Sequence, residues 1–283
     1  MPSQNRKQLN EFMSHIEENW DNLQILFDEL AASGGWDQRH GPDWTFADLP
    51  YHLAYCNDEI LIRGLKVGAS LPEGEQDLLA SPEAINDWNA RKFAERPAGQ
   101  TAGQSVAQWR ATCQEIRRLA ANMDDADLEK PFWMPLMAGW TTAVEGFEFT
   151  RTHDWSEFMQ LRIHMERDEP VPSAGATRAY LNRILQFFPL FLDREAAAGR
   201  EFNAVMAFSD PQVGAFTIRV VDGNATVAEG ADQDADLVMT QSVETFEKTL
   251  RGIQKPAEAM GSGEIQVSDF EGLAVFGKLF PMG

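Results

Sequence analysis

The spacing of apolar residues changes once along the chain, near residue 177. Before that point apolar side chains recur every three or four residues in long runs, and after it they alternate in short runs. A period of 3.6 residues is that of a helix with one buried face, whereas a period of two is that of a half-buried strand. The sequence therefore predicts a multidomain protein, all-α in its first part and α+β in its second.

Four long helices are predicted in the first part. They cover residues 5–31, about 45–68, about 104–123, and 139–166 as one continuous run. A polar connection over 69–103, with one short helix of its own, separates the second from the third. Four such helices with one long crossover predict an up-down four-helix bundle.

Local signals mark the helix ends. Thr142, with Glu145 three residues later, is a capping box, and Thr45 with Asp48 has the same spacing at the start of the second helix. The loop before the fourth helix is unusually apolar, so its bulky side chains either plug the end of the bundle or line the mouth of a pocket. These side chains are Phe132, Trp133, Met134 and Leu136.

The second part reads as a helix followed by a small sheet. A helix over 177–198 precedes five short strands in a mostly antiparallel sheet, with further helices after the fourth and fifth strands. The predicted domains are 1–168 and 177–283, joined by a linker at 169–176. The apolar terminal helices of the second domain are expected to cover the sheet, and a lipid-sized cavity between helices and sheet is the alternative.

Charge and cysteine content exclude several classes of partner. The chain has 24 Lys and Arg against 44 Asp and Glu, a net charge of −20, which repels nucleic acid and anionic membrane surfaces. Two cysteines cannot build a disulfide framework, and we find neither a signal peptide nor a membrane span. We expect a cytoplasmic protein, a monomer or a homodimer, that acts on a small molecule.

Three side chains of metal-ligating type are expected to converge in the bundle. His153 and Glu157 lie four residues apart, which stacks an imidazole and a carboxylate on one face of the fourth helix. His52 lies early in the second helix, and facing helices commonly build metal sites from inward-pointing side chains. Two imidazoles and a carboxylate leave a position open for water or substrate, as in catalytic sites. The competing interpretation is that a helical histidine is simply a surface or hydrogen-bonded residue.

Nearby residues are candidates for supporting roles. Cys56 follows His52 by one turn and could approach the metal, although a buried thiol is the commoner interpretation. Asp154 and Glu148 could orient a ligand imidazole through its second nitrogen.

The segments that carry these residues resemble DinB-like proteins. The family's second helix, in which a tryptophan precedes the first metal histidine, is similar to DWTFADLPYHLAYCND. The third-helix region of its mycothiol-dependent maleylpyruvate isomerase branch is similar to NDWNARKFAERPAG and the SVAQWRATCQEIRRLAANMDDADLEKPF that follows. The fourth helix of the family is similar to GWTTAVEGFEFTRTHDWSEFMQ and carries HxxxHxxQ, or ExxxH in the isomerase branch.

This chain departs from both versions of that pattern. It has His153-xxx-Glu157-xx-Gln160, which keeps two histidines and a carboxylate but reverses their order on the helix. The resemblance covers about residues 5–166. It implies a divalent metal on His52, His153 and Glu157, with zinc first and nickel or iron as alternatives.

The remainder resembles a sterol-carrier-protein-2-type domain. The similar segments are GAFTIRVVDGNATVAEG, ADLVMTQSVETFEKTLRG and GEIQVSDFEGLAVFGKLF. The tandem order of the two domains is similar to that of maleylpyruvate isomerases.

Two functions follow as hypotheses. The first is an enzyme, a thiol S-transferase or isomerase, whose metal activates a low-molecular-weight thiol (mycothiol, bacillithiol or glutathione) or a water toward a small electrophilic substrate. Trp133 and Gln160 would then lie near the pocket, and Arg178 and Arg219 are either carboxylate clamps or ordinary surface charges. The second is a non-catalytic protein that binds a lipid or another hydrophobic ligand in its C-terminal domain.

Overall fold

The structure, a computed structural model, describes residues 3–40, 44–70, 82–134 and 139–281. The chain divides into two compact units, Met1–Val171 and Pro172–Gly283. Leu136, one of the bulky loop residues, lies outside the described ranges. No helix in those ranges has both the length and the apolar character that crossing a membrane requires.

The first unit is helical, with two short hairpins. Its helices are α1 (Gln4–Ser33), α2 (Leu49–Cys56), a π-helix (Asn57–Ile62) that continues directly into α3 (Arg63–Val67), α4 (Pro82–Glu95), α5 (Ala102–Asn122), α6 (Asp125–Leu128) and α7 (Ala143–His164). The hairpins pair β1 (Arg39–His40) with β2 (Trp44–Thr45) and β3 (Pro131–Met134) with β4 (Gly139–Thr142).

Four long helical segments enclose the core of this unit. α1 packs against α5 and α7, α2 packs against α5, and the π-helix contacts both α5 and α7. Each segment buries its apolar stripe, including Leu23 of α1, Leu53 of α2, Ile116 of α5 and Phe158 of α7, all fully buried. The bundle that the helical period predicts is therefore present, in agreement with burial of one face per helix.

The direction of the third helix corrects the expected up-down order. α1 and α5 are antiparallel, since Arg6 donates to the carbonyl of Ala120 and Arg110 donates to Gln24. α1 and α7 run the same way, with Trp20 beside Asp154 and Glu29 beside Arg167.

α2 is antiparallel to α7, because His52 meets His153 and Leu61 lies near Gly146. The order is thus up-down-down-up. The long crossover between α3 and α5 returns the chain to the end of the bundle from which α2 started, which lets α2 and α5 run parallel.

The fourth helix begins later than the sequence predicts. Residues 139–142 pair with β3 as strand β4, and Thr142 caps α7 in a capping box with Glu145. The second helix also begins late, at Leu49, because the Asp48 carboxylate accepts from both the amide and the hydroxyl of Thr45, which holds Thr45 in the β1–β2 hairpin.

Phe132 fills the space between two helical segments. Its ring is buried, and a Cβ placed at either Gly64 or Gly146 would lie 2.6 Å from it. Of the two alternatives for this apolar loop, Phe132 and the fully buried Met134 pack in the bundle. Trp133 is half-buried, and its backbone bonds to Gly68 and Ser70 at the end of α3.

The second unit is α+β. Its elements are α8 (Ala174–Leu185), β5 (Glu201–Phe208), β6 (Ala215–Val221), β7 (Asn224–Glu229), β8 (Leu237–Gln241), α9 (Val243–Leu250), α10 (Pro256–Ser262), β9 (Ile265–Val267) and α11 (Phe270–Leu279).

The five strands form a mixed sheet in the order β7-β6-β5-β8-β9. Three neighbouring pairs are antiparallel, whereas β5 and β8 are parallel, with Ala204 opposite Leu237. The sheet is therefore not purely antiparallel. The parallel pair arises because the β6–β7 hairpin builds out one side of β5, and the chain then crosses to the other side.

The helix before the sheet ends well before residue 198. α8 stops at Leu185 and is followed by a short 3-10 helix, Phe188–Phe191. Pro189 explains the stop, because a proline has no amide hydrogen and its ring clashes with the carbonyl four residues earlier, which is that of Leu185. α8 also starts inside the segment expected to be a linker, where Ser173 caps it.

Candidate metal centre

Two imidazoles face each other between α2 and α7. The Nε2 atoms of His52 and His153 are 3.1 Å apart. His52 is 5% exposed, and the side chain of His153 is 17% exposed. At this distance two nitrogen lone pairs repel each other unless a cation, either a proton or a metal, lies between them.

The second nitrogen of each ring is already hydrogen-bonded. His153 Nδ1 lies 3.0 Å from Asp154 Oδ1, and the other oxygen of this fully buried carboxylate accepts from Trp20 Nε1 at 2.7 Å. His52 Nδ1 lies 2.7 Å from the hydroxyl of Tyr55. Such partners orient a ligand imidazole and make it a better donor. Asp154 therefore lies where an orienting carboxylate is needed, whereas Glu148 pairs with Arg151.

Glu157 is a third potential donor near the two imidazoles. Its Oε1 lies 3.9 Å from the Nε2 atom of His52 and 3.9 Å from that of His153. In a triangle with sides of 3.1, 3.9 and 3.9 Å, the point equidistant from the three corners lies about 2.1 Å from each, which matches zinc–nitrogen and zinc–oxygen bond lengths. The spacing of these three donor atoms thus fits a divalent cation.

Cys56 brings a sulfur to the same place. Ligand atoms of His52, Cys56 and His153 lie within 4.8 Å of one another. The Sγ atom is 3.7 Å from His52 Nε2, and the residue is buried, which raises the pKa of the thiol. Without a nearby cation this group therefore remains a neutral thiol.

The electrostatic environment favours a positive charge on His153. Burial opposes an imidazolium, but the hydrogen bond to Asp154 and the charge of Glu157 raise the pKa of His153. The lone pair that attracts a proton is the one that would bind a metal. By contrast, burial lowers the pKa of His15 and of His164, which both lie at the core boundary.

Aromatic rings surround the two imidazoles. The Trp44 ring lies 4.8 Å from that of His52, and Phe149 stacks on His153 at 5.7 Å. Burial holds Tyr55 in its protonated form, because it raises the pKa of the phenol. A cleft of about 520 Å³ lies beyond Trp44, and Phe93, which meets Trp44 edge-on at 4.9 Å, lines it.

The remaining sequence candidates lie as follows. Gln160 is half-buried on α7, two turns after His153. In the C-terminal unit, Arg178 donates to the backbone carbonyls of Gln212 and Val213, and Arg219 forms a 2.8 Å ion pair with Asp232. Both arginines therefore have partners inside their own unit.

Three residues that form hydrogen bonds around the site are not predicted from the sequence. Tyr55 lies three residues after His52, a spacing that places the two on one helix face and could have indicated the contact. Asn89 and Trp20 come from other helices, and no local pattern in the sequence connects them with either histidine.

A four-helix bundle with a cluster of potential metal ligands on two facing helices defines the class of this protein. Residues 15–160, which make up half of the chain, match the family model of the DinB superfamily. The chain belongs to the DinB superfamily.

Solved structures extend the likeness to both units. The chain is similar to the mycothiol-dependent maleylpyruvate isomerase, with a TM-score of 0.54 and 13% identity over 92% of each chain. A point mutant of that isomerase gives a TM-score of 0.52 and 13% identity, over 94% of this chain and 93% of that one. At this identity the likeness establishes the fold. No curated protein matches the chain in sequence.

Proposed function

We propose that this protein is a divalent-metal-dependent enzyme that activates a small thiol, or a water, for transfer to or isomerisation of a small electrophilic substrate. The observation that carries the proposal is the pair of Nε2 atoms 3.1 Å apart with the Glu157 carboxylate equidistant from both. The likeness to an isomerase named for its dependence on mycothiol supports the thiol over the water.

The residues have distinct tasks in this proposal. His52, His153 and Glu157 would hold the cation, and zinc suits the nitrogen and oxygen donors, with nickel or iron as alternatives. A bound divalent cation lowers the pKa of a thiol or water in its open position, which supplies a nucleophile near neutral pH. Asp154 holds His153 in place, while Trp44 and Phe149 limit the access of water to the imidazoles.

The thiol cosubstrate would be a low-molecular-weight cellular thiol such as mycothiol, bacillithiol or glutathione. Its sulfur would lose a proton to solvent on binding and then form a bond to the electrophilic carbon, whose π-bond electrons take up a proton. In an isomerisation this carbon–sulfur bond would break again and release the thiol. We propose that the C-terminal unit is of sterol-carrier type.

Metal content tests the proposal directly. We would measure it by mass spectrometry on purified wild-type protein, His153→Ala and a matched control, His164→Ala. His164 lies on the same helix, half-buried, and is outside the cluster. We expect about one metal ion per chain in the wild type and in the control, and none in His153→Ala.

The outcome decides between the two functional hypotheses. Absence of metal from the wild type, even after incubation with zinc, would reject the enzyme. An apolar ligand that co-purifies with metal-free protein would favour the hydrophobic-ligand carrier. With metal present, we would screen the three thiols against small electrophiles and detect thioether or isomer by mass spectrometry.

A further inference from the structure

We infer that Tyr55 and Asn89 position His52 for metal binding by fixing which of its ring nitrogens carries the proton. This inference rests on the proposed metal-dependent function. Three side chains form a continuous chain of short hydrogen bonds, from His52 Nδ1 to the Tyr55 hydroxyl at 2.7 Å and from that hydroxyl to Asn89 Oδ1 at 2.8 Å. Neither Tyr55 nor Asn89 is among the donors of the cluster.

The direction of the chain follows from its far end. The side-chain oxygen of Asn89 can only accept, so the Tyr55 hydroxyl donates its single proton there. The phenol oxygen is then left as an acceptor for His52, and Nδ1 must carry the proton. The lone pair of the ring is consequently on Nε2, the atom that faces His153 and Glu157.

The opposite direction would disable the ligand. If Tyr55 donated to His52 Nδ1, the proton of the neutral ring would sit on Nε2, which could not then bind a metal. All three residues are at least 93% buried, so water offers little alternative hydrogen bonding. The Asn89 acceptor therefore determines which nitrogen of His52 carries the proton, acting through the Tyr55 hydroxyl.

Helix α4 supplies Asn89 and is itself anchored beside the site. Lys92, one turn after Asn89, forms a 2.8 Å ion pair with Glu59 of the π-helix. The Trp88 ring meets Tyr55 edge-on at 5.1 Å. The crossover between the second and third long helices thus contributes a positioning residue to a centre whose donors all lie on α2 and α7.

The first test compares two tyrosines on one helix. Tyr51 is also buried and lies edge-on to Tyr55, with 5.5 Å between ring centres. We would measure zinc affinity by competition with a chelating dye. Tyr55→Phe should lose about 10- to 100-fold, the usual effect of removing a partner of a ligand histidine, whereas Tyr51→Phe should bind as the wild type does. Equal affinities of the two variants would overturn the inference.

A double-mutant cycle separates positioning from packing. Asn89→Leu keeps the side-chain size but removes the acceptor, which frees the Tyr55 hydroxyl to donate to His52. We expect Asn89→Leu to lower zinc affinity by about 10-fold or more in the wild-type background, and to add little in the Tyr55→Phe background. Independent packing effects would add, and additive losses would overturn the inference.

Nitrogen-15 NMR of the imidazoles reads the proton directly. The zinc-loaded wild type and Tyr51→Phe should show a slowly exchanging Nδ1–H signal for His52, and Tyr55→Phe should lose it. A wild type that binds no zinc would reject the proposed function. The Nδ1–H signal of His52, measured on the metal-free protein, would then show the direction of the hydrogen bonds independently of metal binding. A proton found only on Nε2 of His52 would reject the inferred direction.

Discussion

Replacing Trp20 by Phe should weaken both the fold and the metal site, because the indole holds the carboxylate that holds His153. Trp20 Nε1 donates to Asp154 Oδ2 at 2.7 Å, and Asp154 is fully buried. Phe keeps a ring beneath the Arg117 guanidinium, which lies 5.0 Å from the ring centre of Trp20. The essential change is therefore the loss of one hydrogen bond to a buried charge.

Comparison with a second tryptophan separates the contribution of this hydrogen bond from the cost of lost packing. Trp109 is as buried as Trp20, but its Nε1 has no hydrogen-bond acceptor within reach in the described part of the chain. The same ring atoms are lost in Trp20→Phe and Trp109→Phe, so the packing costs are similar. A hydrogen bond to a charged group contributes about 1.5–3 kcal/mol. Trp20→Phe should thus lower the free energy of unfolding by at least that much more than Trp109→Phe.

Urea denaturation gives the two free energies of unfolding, and dye competition gives the zinc affinities. We expect zinc affinity to fall about 10-fold or more in Trp20→Phe, since His153 loses a fixed partner, and to stay unchanged in Trp109→Phe. Equal destabilisation by the two substitutions would show that the indole N–H contributes nothing beyond packing. Unchanged zinc affinity in Trp20→Phe would show that Asp154 is held without it.

Three further predictions concern packing, charge and metal. Gly146→Ala should lower the free energy of unfolding measured in urea by about 1–3 kcal/mol, because the new Cβ would lie 2.6 Å from Phe132 and overpack the core. In the control, Gly103→Ala, the new Cβ would have no atom nearer than 4.0 Å, and the substitution should stabilise the fold by up to about 1 kcal/mol. Hydrogen bonds from Arg118 and Lys66 lower the pKa of Glu115 from 4.5 to about 2. Its ionised form therefore stabilises the fold, and the difference in urea midpoint between wild type and Glu115→Gln should be constant above pH 4.5 and vanish as the pH falls toward 2. A chelator should lower the Tm of the metal-loaded protein, by an amount equivalent to about 2.7 kcal/mol if free metal had been at 100 times Kd, and leave that of His153→Ala unchanged.

Features encoded over a few residues could be predicted from the sequence. The capping box of Thr142 and Glu145 and the one-turn spacing of His153 and Glu157 depend only on helical geometry, and both occur in the structure. The apolar period likewise separates the helical unit from the α+β unit, because each residue's face is set by its near neighbours.

Features that depend on distant partners could not be predicted. Residues 139–142 continue a helical pattern and become a strand only because β3 pairs with them. Asn89 reaches Tyr55 from a helix 34 positions further along the chain. The parallel pairing of β5 with β8 is equally nonlocal, because it depends on which edge of the sheet the chain returns to.

The π-helix at Asn57–Ile62 has a consequence for how this segment can change in evolution. In an uninterrupted α-helix, Gly64 would lie about 120° around the axis from His52, whereas the one extra residue of a π-turn reduces this to about 20°. His52 and Gly64 therefore lie on the same face of the helix, toward α7. His52 contacts His153, and Gly64 packs against the Phe132 ring, which in turn packs against Gly146. A single-codon deletion within this turn would convert it to an ordinary α-turn with the same offset of about 20°, so one residue can be lost here with both contacts kept, whereas a one-residue insertion would separate them.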